Sequence, residues 1–514
     1  MPSGRRSSRP EPKGQAAARP PGDQVLRRGD RATFVLQSIV CAGSAAFVAV
    51  YLFIALRRIS YPFDLEWMEG AMVGHVWHVL AGRPIYGPPT LQFTAFLYPP
   101  LFYYVCAPVA RLVGIGFFPL RLVSLVSSMV VFSLLYRIAA RDTGSRYAGV
   151  VAVGMFAATY RIGGAWFDLA RNDSLFLALL LGGVYLLRFR ESPAGWASAG
   201  GLLALSVLTK QTGAFVALPL LLYAAVLDWR RSLVLALAFG GLLGGVTLAY
   251  NLHDHGWFLY YVLRLPERIQ QGAAEHARFW TRDILAALPI ASVLGLTTVL
   301  AARPWRSPRA AFWFLLSAGC VGAAWISRLH SGAYDNVLIP AYACLALLTG
   351  ISLHRLSEAA APRWQAFVRL AVAALCIVQL GLLHYPVSEQ IPTARDAALA
   401  RELGVKLAQA DGQVLVPFHA FVPTPTGPVM HAHSWAIYDV LRGGDPARSA
   451  RLEGDITYAF DRQLYRMIVV DKVEPWMQPG LDAAYRRDGR ALGYEELRTR
   501  TGYRTSPRWI FMPK

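Results

Sequence analysis

Three carboxylate residues, Asp64, Glu66 and Glu69, occur close together in the segment PFDLEWMEG. A carboxylate within hydrogen-bond reach of a hydroxyl group can remove its proton as a general base. The type and spacing of these residues are therefore suited to activating a hydroxyl acceptor. The alternative is that all three carboxylates only cap the helix that follows them.

Basic residues that could hold a phosphate group lie in other polar segments. Arg171 lies between Asp168 and Asp173 in WFDLARNDSLF. Lys210 and Gln211 form a polar step, LTKQTG, between two apolar runs. A departing phosphate needs Arg or Lys to stabilise its charge, and Arg can bind it with two hydrogen bonds. Two further polar segments add the candidates Arg264, Arg268, His330 and Asp335.

These residues also have plain structural interpretations. Asn172 and Asp173 are common N-cap types, and the flexible side chain of Lys210 could reach the lipid headgroups. The pair His253 and His255 has an H-x-H spacing, but neighbouring loop histidines are commonly just solvated. We predict no cofactor, and a divalent metal has no clear support in the sequence. No single segment is specific, so the functional hypothesis depends on their convergence at one membrane face.

The composition places these segments in a membrane protein. The chain of 514 residues is 55% hydrophobic and 16% charged, whereas soluble domains have roughly 25% charged residues. The formal net charge is +19, but Lys and Arg occur in short clusters between apolar runs, which indicates topology control rather than nucleic-acid binding. No G-x-x-x-x-G-K-[ST] motif occurs, which disfavours a nucleotide-driven pump.

Apolar segments near the length of a membrane span, about 20 residues, follow one another along most of the chain. We predict eleven spans, at residues 33–56, 119–137, 147–163, 174–188, 195–209, 212–227, 232–250, 284–302, 310–327, 337–353 and 366–385. Residues 1–32 are rich in Pro, Gly, Ser and Arg, and we predict a disordered basic cytoplasmic tail there. Residues 33–385 form the predicted transmembrane domain.

The segment YPPLFYYVCAPVARL, residues 98–112, is short for an upright span and contains three prolines. If it does not cross, the basic connections between spans all fall on the cytoplasmic side, where Lys and Arg are enriched. We therefore predict a half-buried helix on the outer face. The same assignment places five polar connections outside, namely 57–118, 164–173, 209–212, 251–283 and 328–336.

Residues 386–514 are also placed outside, and their composition differs from that of the spans. DAALARELGVKLAQ has helical periodicity, and GQVLVPF, RMIVVDK and RWIFMPK are typical of short buried strands. The predicted fold class is an all-α polytopic membrane protein with a small C-terminal α/β extracytoplasmic domain.

The order of these features resembles the GT-C class of integral-membrane glycosyltransferases. The shared features are a carboxylate loop after the first span, YPPL before an outer-face helix, and an L-T-K step between spans. They are most similar to the protein O-mannosyltransferase-like enzymes (glycosyltransferase family 39) and to the lipid A aminoarabinose transferases. The resemblance covers residues 33–385 and implies a polyprenyl-phosphate-linked sugar donor that is used outside the cytoplasmic membrane.

The resemblance also implies roles for particular residues. Counting back from Leu-Ala-Gly at 80–82 puts Glu69 at the position of the base, where the family usually has Asp, so Glu66 and Asp64 remain alternatives. Asp173 resembles the family's second outer acidic residue, and Lys210 its basic step. Tyr98 opens the YPPL motif, and WFLYYVLRLPERIQ, which contains Arg264 and Arg268, resembles the outer loop that covers the donor.

We therefore predict an inverting hexosyl- or pentosyltransferase in the cytoplasmic (inner) membrane with its active site facing outside. The predicted partners are a polyprenyl-phosphate-linked sugar, membrane lipid, and a glycan, lipid or protein acceptor of the cell envelope, without nucleic acid. The alternative is a lipid-linked sugar flippase or another secondary transporter, which predicts polar residues at mid-bilayer depth and broken helices in both halves. Charges lie mainly at one face, which favours the enzyme over the transporter.

Overall fold

The computed structural model describes residues 21–268, 274–306, 308–330 and 332–514. Long apolar runs make the part before residue 383 helical, and short polar turns separate the helices. The helices are α1 (Pro21–Arg58), α2 (Glu69–Leu80), α3 (Leu101–Val113), α4 (Phe117–Thr143), α5 (Arg146–Ala158), α6 (Asp173–Phe189), α7 (Pro193–Thr209), α8 (Ala214–Leu227), α9 (Trp229–His253), α10 (Trp257–Leu259), α11 (Leu265–Glu267), α12 (Ala274–Arg278), α13 (Pro289–Ala301), α14 (Pro308–Arg328), α15 (Ile339–Ala359) and α16 (Gln365–Leu382). Wider π-helical turns lie at Tyr260–Arg264 and Phe279–Ala286.

A helix corresponds to each predicted span. Six of the described helices are long and apolar enough to cross a membrane, and the bent pair Glu275–Ala286 and Pro289–Ala301, broken by 94°, brings the number to seven at most. The other predicted spans correspond to α5, α6, α7 and α8, which have 13 to 17 residues. The all-α polytopic fold is confirmed, and the count of eleven spans stays a prediction.

The predicted disordered tail overlaps the first helix. Residues 1–20 lie outside the described residues, whereas residues 21–32 form the beginning of α1. The disordered cytoplasmic tail over residues 1–32 therefore stays a prediction.

The helix predicted at residues 98–112 is α3, with 13 residues. Tyr98, just before its start, lines a cavity together with Trp435 from the C-terminal part of the chain. Gly114, just after its end, lines a second cavity of about 300 Å³ with Pro423 from the same part. Both ends of α3 therefore lie near residues of the C-terminal part, and that this helix does not cross the membrane stays a prediction.

Small residues allow the helices of the bundle to approach closely. A Cβ atom added to Gly154 of α5 would lie 2.1 Å from Ser44 Cβ of α1. A Cβ atom on Gly350 of α15 would lie 2.4 Å from the carbonyl oxygen of Ala148. Close backbone packing of this kind is the usual way in which helices associate in lipid, and it fixes α5 between α1 and α15.

The C-terminal part, residues 386–514, is here called the tail domain. Its helices are α17 (Ala394–Ala408), α18 (Ser434–Arg442), α19 (Pro446–Asp461) and α20 (Gln478–Ala484). Its strands are β1 (Gln413–Leu415), β2 (Phe421–Val422), β3 (Val429–Met430), β4 (Tyr465–Val470), β5 (Tyr485–Arg490) and β6 (Trp509–Pro513). One sheet has the order β1-β4-β6-β5, with β1 parallel to β4 and the other pairs antiparallel, and β2 and β3 form a separate ribbon. The predicted helix and the three predicted strands are confirmed.

The tail domain packs against the first loop, residues 59–68, and against α2. A Cβ atom on Gly70 would lie 2.7 Å from the backbone nitrogen of Phe421, and the Phe421 ring lies 5.3 Å from the Phe117 ring of α4. The Ala432 N–H donates to the carbonyl of Leu91 at 2.9 Å. The loop that carries the predicted carboxylates is therefore enclosed between the helical bundle and the tail domain.

Candidate functional site

A cavity of about 550 Å³, here called the central cavity, lies between the helical bundle and the tail domain. All five connections that the sequence places on the outer face contribute to it, and so does the tail domain. Six sequence-predicted site residues line it: Glu66, Tyr98, Arg171, Lys210, Gln211 and His330. Each of these residues lies in a connection or helix end, where the chain leaves the apolar bundle.

Glu66 and Arg171 form a buried ion pair in the wall of the central cavity. Arg171 Nη1 lies 2.8 Å from Glu66 Oε2, and Arg171 Nη2 donates to the Tyr98 hydroxyl at 2.8 Å. The guanidinium also lies 5.6 Å from the Trp166 ring centre. Burial raises the pKa of Glu66 to about 7, although the charge of Arg171 acts in the opposite direction. A carboxylate whose pKa is close to neutral pH is well matched to general-base catalysis.

Lys210 provides a second positive charge in the central cavity. Helix α7 ends at Thr209, and Lys210 adopts an extended conformation before the turn at 211–213. Its ammonium lies 2.6 Å from Asp173 Oδ1, which also accepts from Asn336 Nδ2 at 3.0 Å. Lys210 is buried, so its side chain does not extend towards lipid headgroups. Asp173 Oδ2 is buried and has no hydrogen-bond partner among the described residues.

Gln211 fixes this turn against the first connection. Its side-chain Nε2 donates to the carbonyl of Leu97 at 2.8 Å. Its Oε1 is buried without a hydrogen-bond partner in the described ranges. The side chain of Gln211 therefore joins this turn to the first connection through Nε2, and its Oε1 can still accept a hydrogen bond.

Glu69, the residue first predicted as the base, lies outside the cavity lining. Arg121 of α4 contacts both of its oxygens, at 3.0 Å and 2.6 Å. The N–H groups of Ala170 and Leu65 donate to the same two oxygens, at 2.6 Å and 2.7 Å. Burial alone would raise the pKa of Glu69, but Arg121 and the N–H donors lower it below the ordinary value. Glu69 thus joins the first loop to α4 and to the segment before α6.

A signal for this ion pair was present in the sequence. Arg121 stands alone in FFPLRLVSLV, an apolar helix. A charged residue inside a span is costly unless it has a buried partner. The partner in the structure is Glu69, and the role of Glu69 as the base stays a prediction.

Asp64 lies outside the cavity lining and contacts the tail domain. Its Oδ2 is 2.9 Å from His419 Nδ1, and its Oδ1 accepts from the Gly70 N–H at 2.9 Å. The other imidazole nitrogen, Nε2, is 3.4 Å from Asp471 Oδ1. His419 was not among the predicted site residues, because a single histidine in the tail has no sequence signal that connects it with a loop far earlier in the chain.

The remaining predicted residues are also placed outside the cavity lining. Asp168 pairs with Arg58 at 2.5 Å and is buried. Asp335 contacts Arg328 at 3.2 Å. Arg268 is exposed and donates to the Gly443 carbonyl at 2.9 Å, and Arg264 is exposed. Asp168, Asp335 and Arg268 contact other parts of the chain, and a role for these residues in the site stays a prediction.

The tail domain contributes a wall of the central cavity that sequence reasoning missed. Trp435 lies 5.7 Å from Trp67, whose ring centre is 5.1 Å from that of Tyr503. Two ion pairs accompany these rings: Asp439 with Arg442 at 3.0 Å, and Glu474 with Lys472 at 2.9 Å. Burial raises the pKa of Asp439 to about 7. The available signal was the charged run DKVEPW directly after β4.

The site is built from ion pairs and aromatic rings. Among the residues that the structure describes, no group of three or more His, Cys, Asp and Glu side chains is arranged to hold a metal ion.

Comparisons with known proteins connect this geometry with a family. A profile of the dolichyl-phosphate-mannose-protein mannosyltransferase family matches residues 98–252. That range includes Tyr98, Arg171 and Lys210 and excludes the first loop and the tail domain. No curated protein matches the chain by sequence.

The fold is shared over most of the chain with a solved structure. ArnT from Cupriavidus metallidurans bound to undecaprenyl phosphate is 13% identical, with a TM-score of 0.58, over 91% of this chain and 97% of that chain. The apo state of the same protein gives 13% identity and a TM-score of 0.57 over the same shares. The shared length includes both the helical bundle and the tail domain. The chain therefore shares its fold with ArnT, and its residues 98–252 are similar to the dolichyl-phosphate-mannose-protein mannosyltransferase family.

Proposed function

We propose that the chain transfers a sugar from a polyprenyl-phosphate donor to a hydroxyl group of a cell-envelope acceptor, with Glu66 as the general base. The observation that carries this proposal is the placement of Glu66, Arg171 and Lys210 in one cavity. A base and two cations in one cavity are the groups that such a transfer requires.

The cationic side of the central cavity fits the donor phosphate. Lys210 has three N–H donors, and one of them is directed at Asp173, which leaves donors for a phosphate oxygen. Phe215, Ile326 and Val337 form an apolar wall beside it. A prenyl chain along this wall would bring its phosphate to Lys210 and Arg171. The ArnT structure, whose fold this chain shares, was solved with undecaprenyl phosphate.

The proposed reaction is a single displacement. The acceptor O–H loses its proton to a Glu66 oxygen, and the acceptor oxygen forms a bond to the anomeric carbon of the sugar. The bond from that carbon to the phosphate oxygen breaks, and the electron pair leaves with the polyprenyl phosphate. Attack opposite the leaving group inverts the anomeric configuration. Glu66 must be ionised before it accepts a proton, so the rate should rise as the pH rises through about 7.

The tail-domain wall fits the acceptor. Trp435 and Tyr503 present aromatic surface, and Asp439 and Glu474 present carboxylates beside it. Aromatic rings pack against the C–H face of a sugar or a side chain, and carboxylates accept hydrogen bonds from hydroxyl groups. We therefore place the acceptor between this wall and Glu66.

The proposal includes an orientation in which the central cavity faces the outside of the cytoplasmic membrane. Exposed positions Arg401 in the tail domain and Arg190 between α6 and α7 provide a matched pair for single-cysteine labelling. A membrane-impermeant thiol reagent should label Arg401→Cys in intact cells and Arg190→Cys only after permeabilisation. The reverse pattern would place the cavity on the cytoplasmic side.

The activity is tested with purified protein in nanodiscs and radiolabelled polyprenyl-phospho-sugars presented with envelope fractions. Wild-type protein and the surface control Glu453→Gln should transfer label to the envelope fraction, and Glu66→Gln should not. Full transfer by Glu66→Gln would contradict the assignment of the base. Movement of the labelled lipid across the bilayer without transfer to any acceptor would favour the flippase instead.

A further inference from the structure

The tail domain holds consecutive residues of the first loop. The N–H groups of Arg500 and Thr501 donate to the Leu65 carbonyl at 2.8 Å and 3.1 Å. Gly502, at a φ of +72°, approaches so closely that an added Cβ atom would lie 2.8 Å from Glu66 Cγ. His433 Nε2 lies 3.0 Å from the Trp67 carbonyl. The position of Glu66 therefore depends on contacts from the tail domain on both sides of it.

Among these contacts between the tail domain and the first loop, His419 contributes a charged one. Its two ring nitrogens face Asp64 Oδ2 at 2.9 Å and Asp471 Oδ1 at 3.4 Å. The second oxygen of Asp64 accepts from Gly70 N–H, and that of Asp471 accepts from Ser506 N–H. The contact of Nδ1 with Asp64 is a hydrogen bond, whereas that of Nε2 with Asp471 is an ion pair without one. A buried ring that faces a carboxylate on each side is stabilised by a positive charge. The geometry therefore fits the protonated ring.

We infer that His419, as an imidazolium, is a positioning residue that ties the tail domain to the first loop and thereby holds Glu66 in the wall of the central cavity. Its effect on sugar transfer rests on the proposed function, whereas its effect on the first loop does not. The tail domain is then a required part of the active site, because it fixes the loop that carries the base.

The surroundings of His419 define a pH range for this contact. The titratable groups near it are Asp64, Asp471, His431 and His433. Burial lowers the pKa of His419, but Asp471 and Asp64 outweigh this effect and raise it to about 9. Because the pKa is raised on folding, the stabilisation is present at neutral pH and is lost as the pH rises through about 9. Burial also raises the pKa of Asp64 to about 6, so the ion pair weakens below that pH.

Hydrogen–deuterium exchange of a peptide that covers residues 61–70 tests this inference without any assay of activity. In His419→Gln we expect the protection factors of this peptide to fall at least about tenfold, because the first loop then opens locally. His431→Gln is the matched control: His431 is a buried histidine of the same segment that accepts from the Val416 N–H. It should keep the protection of the first loop. In wild-type protein, protection corrected for intrinsic exchange should fall between pH 8 and 10.

Transfer kinetics provide the second measurement. His419→Gln and Asp64→Asn should each lower kcat by about tenfold to a hundredfold, as for a displaced catalytic group, with the donor KM nearly unchanged. The double variant should have a kcat no lower than that of the more affected single variant, because both changes remove the same interaction.

Unchanged exchange of the 61–70 peptide in His419→Gln, or additive losses in the double variant, would overturn the inference. If no polyprenyl-phospho-sugar is turned over by wild-type protein, the proposed function fails while the exchange result still decides this inference. If His419→Gln does not fold, the pH series on wild-type protein and Asp64→Asn give the answer.

Discussion

Two buried glutamates, three residues apart in the sequence, each form an ion pair with an arginine. The two carboxylates differ in how many of their hydrogen-bond acceptor sites are already occupied. Glu66 pairs with Arg171 at 2.8 Å, and Glu69 pairs with Arg121 at 2.6 Å. Both carboxylates are almost completely buried, at 1% and 0% exposure. Neither burial nor ion pairing therefore distinguishes a catalytic carboxylate from a structural one.

The difference lies in the other hydrogen bonds and in the location. Glu69 accepts from Arg121 at both oxygens and also from two backbone N–H groups. Glu66 faces the central cavity, and the pKa shifts of the two residues have opposite signs. A carboxylate with its acceptor sites filled is a poor base, because a proton must displace an existing donor. This comparison leads to predictions that separate the two residues.

The largest expected effect is on the rate of Glu66→Gln. Loss of the general base should lower kcat by about 10²–10⁴-fold while the protein stays folded, because glutamine keeps the shape of the side chain. Single-turnover transfer and a melting curve of the same preparation measure both quantities. A rate within a few-fold of wild type would remove Glu66 from the mechanism.

Lys210→Ala should have the next largest effect. Removal of one group that stabilises the charge of the departing phosphate should reduce the rate by about 10²–10³-fold. Lys210→Arg is the matched variant, because it keeps the positive charge and should retain part of the rate. Equal rates for Lys210→Ala and wild type would mean that Lys210 only neutralises Asp173.

Glu69→Gln should act mainly on stability. Breaking a buried ion pair by removing one partner costs about 3–5 kcal/mol, so the melting temperature in detergent should fall clearly. Arg121→Met, the corresponding change of the partner, should have a similar effect. A stable Glu69→Gln variant that has lost transfer would reverse the roles of the two carboxylates.

The smallest effect is expected at Arg264, which the sequence placed in the donor site. Since its side chain is exposed outside the cavity lining, Arg264→Ala should change stability by no more than about 0.5 kcal/mol and leave kcat nearly unchanged. A loss of tenfold or more in kcat/KM for the donor would show that the segment around Arg264 contacts the lipid.

The sequence predicted the framework of the molecule better than its site. Long apolar runs, the prolines of YPPL and the alternating pattern of RMIVVDK depend on local physical rules, so α3 and β4 were found with nearly correct bounds. The roles of Glu66 and Glu69 depend on which arginine each one meets in space. Glu69 meets Arg121 and Glu66 meets Arg171, and spacing along the chain cannot assign such partners.

The tail domain illustrates the same limit. His419 contacts Asp64, a residue 355 positions earlier in the chain. Lys472 and Glu474 reach the central cavity only because β4 ends beside it. The charged run DKVEPW was visible in the sequence, but whether its side chains line the central cavity depends on how the tail domain packs. Residues that join two regions of a fold are the ones that sequence patterns leave undetermined.

The pH dependence of single-turnover sugar transfer, measured for wild-type protein, Glu66→Gln and Glu69→Gln, tests the central claim most directly. The wild-type rate should rise as the pH rises through about 7, because Glu66 with its raised pKa must lose its proton before it can act as the base. Glu69→Gln should show the same increase with pH, with a rate reduced only in proportion to the fraction of unfolded protein. Glu66→Gln should have a much lower rate that does not increase with pH. A Glu66→Gln variant that keeps the rise at near wild-type rates, together with a Glu69→Gln variant that loses it, would contradict the account.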